Sequence, residues 1–141
     1  MSNVGQRERA TQNRVVGLFR DRLKYEYGGN LEDQDNTNVD EAILRQNLLA
    51  RGVDEELIGR AIQQLLTTAS LGAGQSLYDA NRKVYDLLRY GVRVKRDVGE
   101  NFETVWLIDW NNPDANHFVV AEEVTVKGEH NRRPDIVLYV N

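Results

Sequence analysis

The stretch RRPDIVLYVN, residues 132–141, decides how the fold of this chain is interpreted. Its apolar run, IVLYV, is rich in β-branched and aromatic residues, which is typical of a strand buried on both faces of a sheet. Asn141 then favours the first central position of a tight hairpin turn. A returning strand is expected next, so the sequence predicts a hairpin that is cut before its second strand.

The composition is that of a globular domain. The chain has 141 residues, 40% hydrophobic and 28% charged, which differs clearly from the composition of disordered chains. Cysteine is absent. Disulfides and thiolate metal sites are therefore excluded, and a metal site would need oxygen ligands or the two histidines, His117 and His130.

Charge and hydropathy limit the partners and the location. The net charge of −4 does not favour a domain that holds nucleic acid through its bulk charge, so any DNA contact must be local. The first residues contain no apolar signal region, and no stretch approaches the roughly 20 apolar residues that cross a bilayer. We expect a cytoplasmic protein with no membrane contact.

Helices are predicted in the first two thirds of the chain. Apolar residues spaced four apart, Val15, Phe19 and Leu23, predict a first core helix within residues 1–27. Extended towards the N-terminus, the same stripe meets Gln12 and Glu8. Residues 27–38 are interpreted as a loop.

Capping signals define three further helices. Asn38 with Glu41 fits a capping box, Gly52 fits the end of that helix, and Asp54 fits the cap of the next. Together they predict a helical hairpin over residues 38–70. Ser76 is expected to cap a helix over residues 76–90, which Gly91 ends.

The hydrophobic period changes to two after residue 91, which predicts sheet strands over residues 92–141. Beyond a first strand that begins at Val92, strands are expected over residues 102–110 and 117–126, followed by the terminal run. Helices followed by consecutive strands indicate an α+β fold with a largely antiparallel sheet.

Several long segments resemble one known family. These are ERATQNRVV, LYDANRKVYDLLRYGVRVK and VWLIDWNNPDANHFVVAEEVTVKGEHNRRPDIVLYVN. In this order they resemble the N-terminal region of the R subunit of type I restriction enzymes. The resemblance implies one nuclease-type domain over residues 1–141. It would have a restriction-endonuclease-like core, with residues 38–70 as a helical insertion, and be incomplete at the C-terminus.

The resemblance also implies an activity. In this family the aspartate of a Pro-Asp pair, here Pro134 and Asp135, binds the catalytic Mg²⁺ for cleavage of double-stranded DNA. A second acid and a lysine follow on the next strand in an E-x-K arrangement. That strand is absent, so we expect a catalytically inactive fragment of a longer polypeptide.

The intact family enzyme is an ATP-dependent, site-specific deoxyribonuclease. The resemblance implies that ATP is used by translocase domains absent from this chain. The partners it implies are the specificity and methylation subunits of the restriction complex.

Acidic and amide residues are further candidates for the site. Glu8 is a candidate catalytic acid that faces the metal or the site, although a first-turn glutamate also complements the helix dipole. Gln12 would either support the site by hydrogen bonding or satisfy backbone groups. Strand alternation places Glu122 and Glu123 on opposite faces, so at most one of them would face Asp135, paired with a metal, an arginine or Lys127.

A basic cluster lies just upstream of Asp135 and could bind the DNA backbone without reading sequence. The alternative is a solvated loop. Its members are Lys127, His130, Arg132 and Arg133. Trp106 and Trp110, on one strand face by parity, are expected to pack at the core and its rim.

Two alternatives to catalysis stay open. In the first, the helical hairpin belongs to a module that docks the translocase domains on partners or on DNA. In the second, the chain is a degenerate nuclease fold that binds no metal. Separately, the missing hairpin partner is expected to leave an unpaired edge along residues 136–140, which predicts association between chains.

Overall fold

A computed structural model describes residues 3–32, 39–72, 74–127 and 130–141, with the side chains of Asn3 and Val4 excepted. The described residues form two compact units. The first draws on Met1–Asn38 and His117–Val140, and the second on Val39–Asn116 with Asn141. The predicted α+β class is confirmed, whereas the single nuclease-type domain stays a prediction. No helix of the described part is long and apolar enough to cross a membrane.

The first unit begins with the predicted helix, α1, Asn3–Gly17, which continues as a π-helical turn over Leu18–Arg22. Gln12 and Val16 are its buried side chains. The helix ends before residue 27 because Lys24 adopts a left-handed conformation with φ of 60°. This reversal turns the chain into the first strand.

That strand, β1, Glu26–Asn30, was predicted as the end of the first helix segment and the start of a loop, and the prediction is wrong. Two glycines obscured it, since glycine weakens strand propensity. Pairing with a neighbouring strand outweighs this propensity. Gly28 permits the pairing, because a Cβ atom there would lie 2.8 Å from Cγ1 of Val119.

The sheet of the first unit has the order β1-β4-β5. The central strand, β4, Phe118–Glu122, is parallel to β1 and antiparallel to β5, Ile136–Val140. The predicted terminal strand is therefore confirmed, but its predicted burial on both faces is wrong, because β5 lies at the edge of the sheet and Leu138 and Val140 are 44% and 45% exposed. The strand predicted over residues 117–126 is shorter than expected, because Glu123 has φ of 54° and ends the extended backbone.

The described residues of the second unit form three helices and a short antiparallel hairpin. The helices are α2, Glu41–Ala50, α3, Glu55–Ala69, and α4, Leu77–Tyr90, and the strands are β2, Val92–Val94, and β3, Glu103–Val105. Their buried side chains form one core, which includes Leu44, Leu48, Ile58, Ile62, Leu65, Val92, Val105 and Leu107. A 3₁₀ turn, Pro113–Ala115, follows the hairpin.

The predicted helix caps are confirmed with one exception, the N-cap of α2. Asp54 and Ser76 cap α3 and α4, and Gly52 and Gly91 have the positive φ angles expected at helix ends. The cap of α2 is Asp40, whose carboxylate accepts from the backbone N–H of Ile43. Asn38, the predicted cap, lies outside the described residues.

The strand predicted over residues 102–110 is also shorter, since β3 covers Glu103–Val105 alone. Beyond it, the side chain of Asn116 binds both backbone groups of Asp109 and holds the segment in a loop. Trp106 and Trp110 therefore do not share a strand face as predicted. Both are nearly half exposed, at 46% and 47%.

Candidate functional site

A buried polar cluster lies in the first unit, where α1 meets the end of β4 and the start of β5. Gln12 is at its centre. Its side-chain nitrogen lies 3.1 Å from Oε1 of Glu122, 3.3 Å from Oε1 of Glu123 and 3.3 Å from the carbonyl oxygen of Asp135. One amide thus links α1 to the end of β4 and to the residue that precedes β5.

The two adjacent glutamates point to the same side, contrary to the prediction from strand alternation. Both carboxylates accept from Gln12, and both lie within 4.0 Å of Arg9. Alternation fails because Glu122 is the last residue of β4, and the left-handed backbone of Glu123 rotates its side chain back towards α1. The cluster therefore holds two carboxylates rather than one.

Arginine and tyrosine compensate these carboxylates. The side chain of Glu122 is 6% exposed and accepts a short hydrogen bond from the Tyr27 hydroxyl. The side chain of Glu123 is 14% exposed, and its Oε2 lies 3.0 Å from Nε of Arg133. Burying carboxylates is tolerated when such partners are present. Arginine is thus one of the predicted partners that the structure shows.

Tyr27 carries the clearest perturbation of ionisation in the cluster. Its hydrogen bond to the Glu122 carboxylate raises the pKa of the Tyr27 phenol, and burial acts in the same direction. The guanidinium of Arg20 lies 4.7 Å from the centre of the Tyr27 ring. At neutral pH the hydroxyl therefore remains protonated and donates to Glu122.

Asp135 lies at the edge of this cluster with its backbone fixed and its side chain exposed. Its carbonyl oxygen accepts from the backbone N–H of Glu123 at 3.0 Å and from Gln12. Among the described residues, no hydrogen bond or ion pair engages the Asp135 carboxylate, and the preceding Pro134 is exposed. This carboxylate is the acid of the cluster that a ligand could reach.

The other predicted site residues are not brought into the cluster. Glu8 is exposed, and no described residue forms an ion pair or hydrogen bond with it. Lys127, His130 and Arg132 are exposed, and Arg132 forms a backbone bridge with Val126. Within the predicted basic cluster, Arg133 reaches a buried carboxylate through its ion pair with Glu123.

The described side chains of the cluster supply few free donor oxygens for a metal ion. Within the described residues, no group of three or more histidine, aspartate or glutamate side chains is placed to hold a metal. Glu122 and Glu123 already accept hydrogen bonds from Gln12 and form ion pairs with Arg9, and Glu123 also pairs with Arg133. Asp135 is the one predicted ligand of the cluster whose oxygens are available, so the described residues supply part of a site.

Two members of the cluster were not predicted. Arg9 precedes Gln12 by three residues, so helical spacing alone would have placed both on one face. Tyr27 was missed because its strand was taken for a loop. Its participation depends on the parallel register of Tyr27 opposite Val120, which no local signal encodes.

Comparison with known proteins gives one match. A family model described as "Type I restriction enzyme R protein N terminus" matches residues 5–141, nearly the whole chain. No curated protein and no solved structure matches.

Proposed function

The chain belongs to the family of type I restriction enzyme R protein N termini, and on this premise we propose that it forms part of a Mg²⁺-dependent endonuclease domain that cleaves double-stranded DNA. The family places it at the N-terminal part of an R subunit. Metal dependence and the role of each residue are the proposed steps.

The proposal rests on one observation, the fixed backbone and exposed carboxylate of Asp135. Its backbone is held by Glu123 and Gln12, while its carboxylate is exposed and engaged by no described residue. A ligand oxygen on a fixed backbone keeps a cation in a constant position. Such positional constancy is what phosphodiester cleavage requires of its metal site.

Asp135 would hold the Mg²⁺ ion. When bound, the ion would neutralise charge on the phosphate oxygens and orient the attacking water. Glu122 and Glu123 take a different role in this proposal. Because their oxygens are already engaged by Arg9, Arg133, Gln12 and Tyr27, they fix the position of Asp135 rather than supply ligand oxygens.

The exposed cations near Asp135 in the sequence would bind DNA phosphates. Lys127, His130 and Arg132 are exposed and retain this proposed role. Arg133 already binds Glu32 at 2.7 Å and Glu123 at 3.0 Å. Arg133 therefore acts first on the position of Glu123, and its contribution to phosphate binding is secondary.

In the complete enzyme, cleavage would be coupled to ATP-driven translocation by other domains of the R subunit. Specificity and methylation subunits would complete the complex and select the DNA. A cytoplasmic location fits this role, as does the absence of cysteine.

Metal binding is tested on the chain itself by NMR with paramagnetic Mn²⁺ in place of Mg²⁺. We expect selective broadening of the backbone amide signals around Asp135 and Glu123, and its loss in Asp135→Asn. Asp114→Asn removes an exposed carboxylate in the second unit and serves as the matched control. Broadening that is unchanged in Asp135→Asn would contradict the proposed ligand.

Catalysis is tested in the complete restriction complex. Asp135→Ala is expected to abolish DNA cleavage while ATP hydrolysis and complex assembly persist. A docking role for this region predicts instead that cleavage persists or that assembly fails in this variant. The two measurements together separate the nuclease role from the docking role.

A further inference from the structure

A groove on the second unit runs between α3 and the outer edge of the β2–β3 hairpin. Its volume is about 470 Å³. The helix contributes polar and basic side chains, and the hairpin contributes two basic side chains and an aromatic ring. The residues used below are Arg60, Gln64, Thr67, Arg93, Lys95 and Phe102.

The groove is cationic in a chain whose net charge is −4. Arg60, Arg93 and Lys95 line it, and none of its described lining residues is acidic. Basic residues line this groove although acidic residues outnumber basic ones in the whole sequence, 22 to 18. A local patch of this kind attracts an anion independently of the overall charge.

Two of the cations have no carboxylate partner among the described residues. The guanidinium of Arg93 lies 5.1 Å from the centre of the Phe102 ring, and the ammonium of Lys95 lies 4.4 Å from it. The ring holds both charges in place without neutralising them. Arg60 pairs with Glu56 at 3.5 Å, but both side chains are about half exposed, so this pair is weak.

The neighbouring acids are already occupied. Arg96 binds Glu103 and Asp54, each at 3.0 Å. These two carboxylates are therefore compensated by a cation outside the groove. Their pairing leaves Arg93 and Lys95 available to an external anion.

We propose that this groove binds the phosphate backbone of DNA without reading its sequence. Arg93, Lys95 and Arg60 contact successive phosphates, and the Gln64 amide and Thr67 hydroxyl donate hydrogen bonds to phosphate oxygens. The partner, double-stranded DNA, is taken from the proposed function, on which this inference rests. The contact itself needs neither Asp135 nor a metal ion.

The side chains of the groove favour DNA over an acidic peptide. A peptide partner is usually anchored by an apolar or aromatic side chain in a desolvated pocket. Of the apolar lining residues in the described part, Val94 is buried, whereas Phe102 is 54% exposed and has both cations over its ring. The accessible surface is therefore one exposed ring among several hydrogen-bond donors and positive charges, and not a desolvated apolar pocket.

The test measures binding of a random-sequence DNA duplex by fluorescence anisotropy over a range of salt concentrations, without divalent cations. In the double variant Arg93→Glu/Lys95→Glu, we expect weaker binding and a salt slope reduced by about 1 for each cation removed. Arg82→Glu/Lys83→Glu changes the same number of charges on the exposed face of α4 and should keep most of the affinity. Arg93→Gln/Lys95→Gln repeats the test if the glutamates disturb folding.

The outcomes separate this proposal from the preceding one. The groove proposal would be overturned if the groove variants kept wild-type affinity and salt slope. It would also be overturned if the Arg82→Glu/Lys83→Glu control lost as much affinity as they do. Polyglutamate that competes as well as DNA, at equal charge, would overturn the assignment to nucleic acid. Asp135→Asn should bind the duplex like wild type, so failure of the metal site leaves this result intact.

Discussion

The backbone N–H of Glu123 donates a hydrogen bond to the carbonyl oxygen of Asp135 at 3.0 Å. This bond continues the pairing of β4 with β5 by one step, across a residue whose φ of 54° has ended the strand. The same left-handed conformation brings the Glu123 side chain into the cluster. The position of Asp135 and the burial of Glu123 thus have one structural cause.

Arg133 should stabilise the fold mainly through Glu123. Glu123 is 14% exposed, whereas Glu32, the other partner of Arg133, is 48% exposed. Exposed ion pairs contribute about 0–1 kcal/mol, and partly buried charged hydrogen bonds contribute more. Double-mutant cycles from urea unfolding should give roughly 1–2 kcal/mol for Arg133→Ala with Glu123→Ala, and less for Arg133→Ala with Glu32→Ala. Equal coupling energies would contradict the assignment.

Tyr27 should ionise above the ordinary tyrosine pKa of 10.0, because its phenol donates to the Glu122 carboxylate. A pKa raised on folding adds stability that is fully present below the unfolded value and is lost as the pH rises through the folded value. Alkaline titration of phenolate absorbance, taken as the difference between wild type and Tyr27→Phe, reports this group among the six tyrosines. In the Glu122→Gln background, the midpoint of this difference titration should move back towards 10.0. A midpoint that Glu122→Gln leaves unchanged would show that the hydrogen bond is not the cause.

The sequence located most helices because their signals are local. Asp54 and Ser76 cap helices as predicted, since an N-cap needs only a side chain and the backbone of the following turn. The terminal strand, Ile136–Val140, was likewise evident from its apolar run. These elements are encoded within a few residues of themselves.

The parts of the site that the sequence did not predict depend on distant pairing. β1 contains two glycines and acquires its strand conformation from β4, about ninety residues away along the chain. The shared orientation of Glu122 and Glu123 arises from one left-handed residue, a conformation that few residues other than glycine adopt. No periodic pattern reports such a residue.

Asn47 should be a stability determinant of the second unit although it is polar. It is 1% exposed, donates to the carbonyl oxygen of Ala115 at 2.8 Å and accepts from Nε of Arg51 at 2.8 Å. Asn47→Ala leaves buried groups without partners, which costs about 1–3 kcal/mol. Urea unfolding measures this change. Asn111→Ala, at an exposed position, should stay within about 0.5 kcal/mol of wild type. A similar small effect for Asn47→Ala would contradict a structural role for its hydrogen bonds.

Gly91 should tolerate no side chain, in contrast to Gly59. Gly91 has φ of 80°, and a Cβ atom there would lie 2.5 Å from Cγ2 of Thr104 and 3.2 Å from the carbonyl oxygen of Val105. Gly91→Ala therefore combines backbone strain with a clash against β3, and we expect a loss of about 2–4 kcal/mol.

Gly59 lies within α3, and a Cβ atom there would meet no atom within 4 Å. Gly59→Ala should stabilise the chain by about 0.5–1 kcal/mol, because alanine favours the helix. Thermal and urea unfolding of both variants measure the contrast. Equal effects would show that the junction between α4 and β2 relaxes to accept a side chain, and that the end of α4 does not depend on glycine.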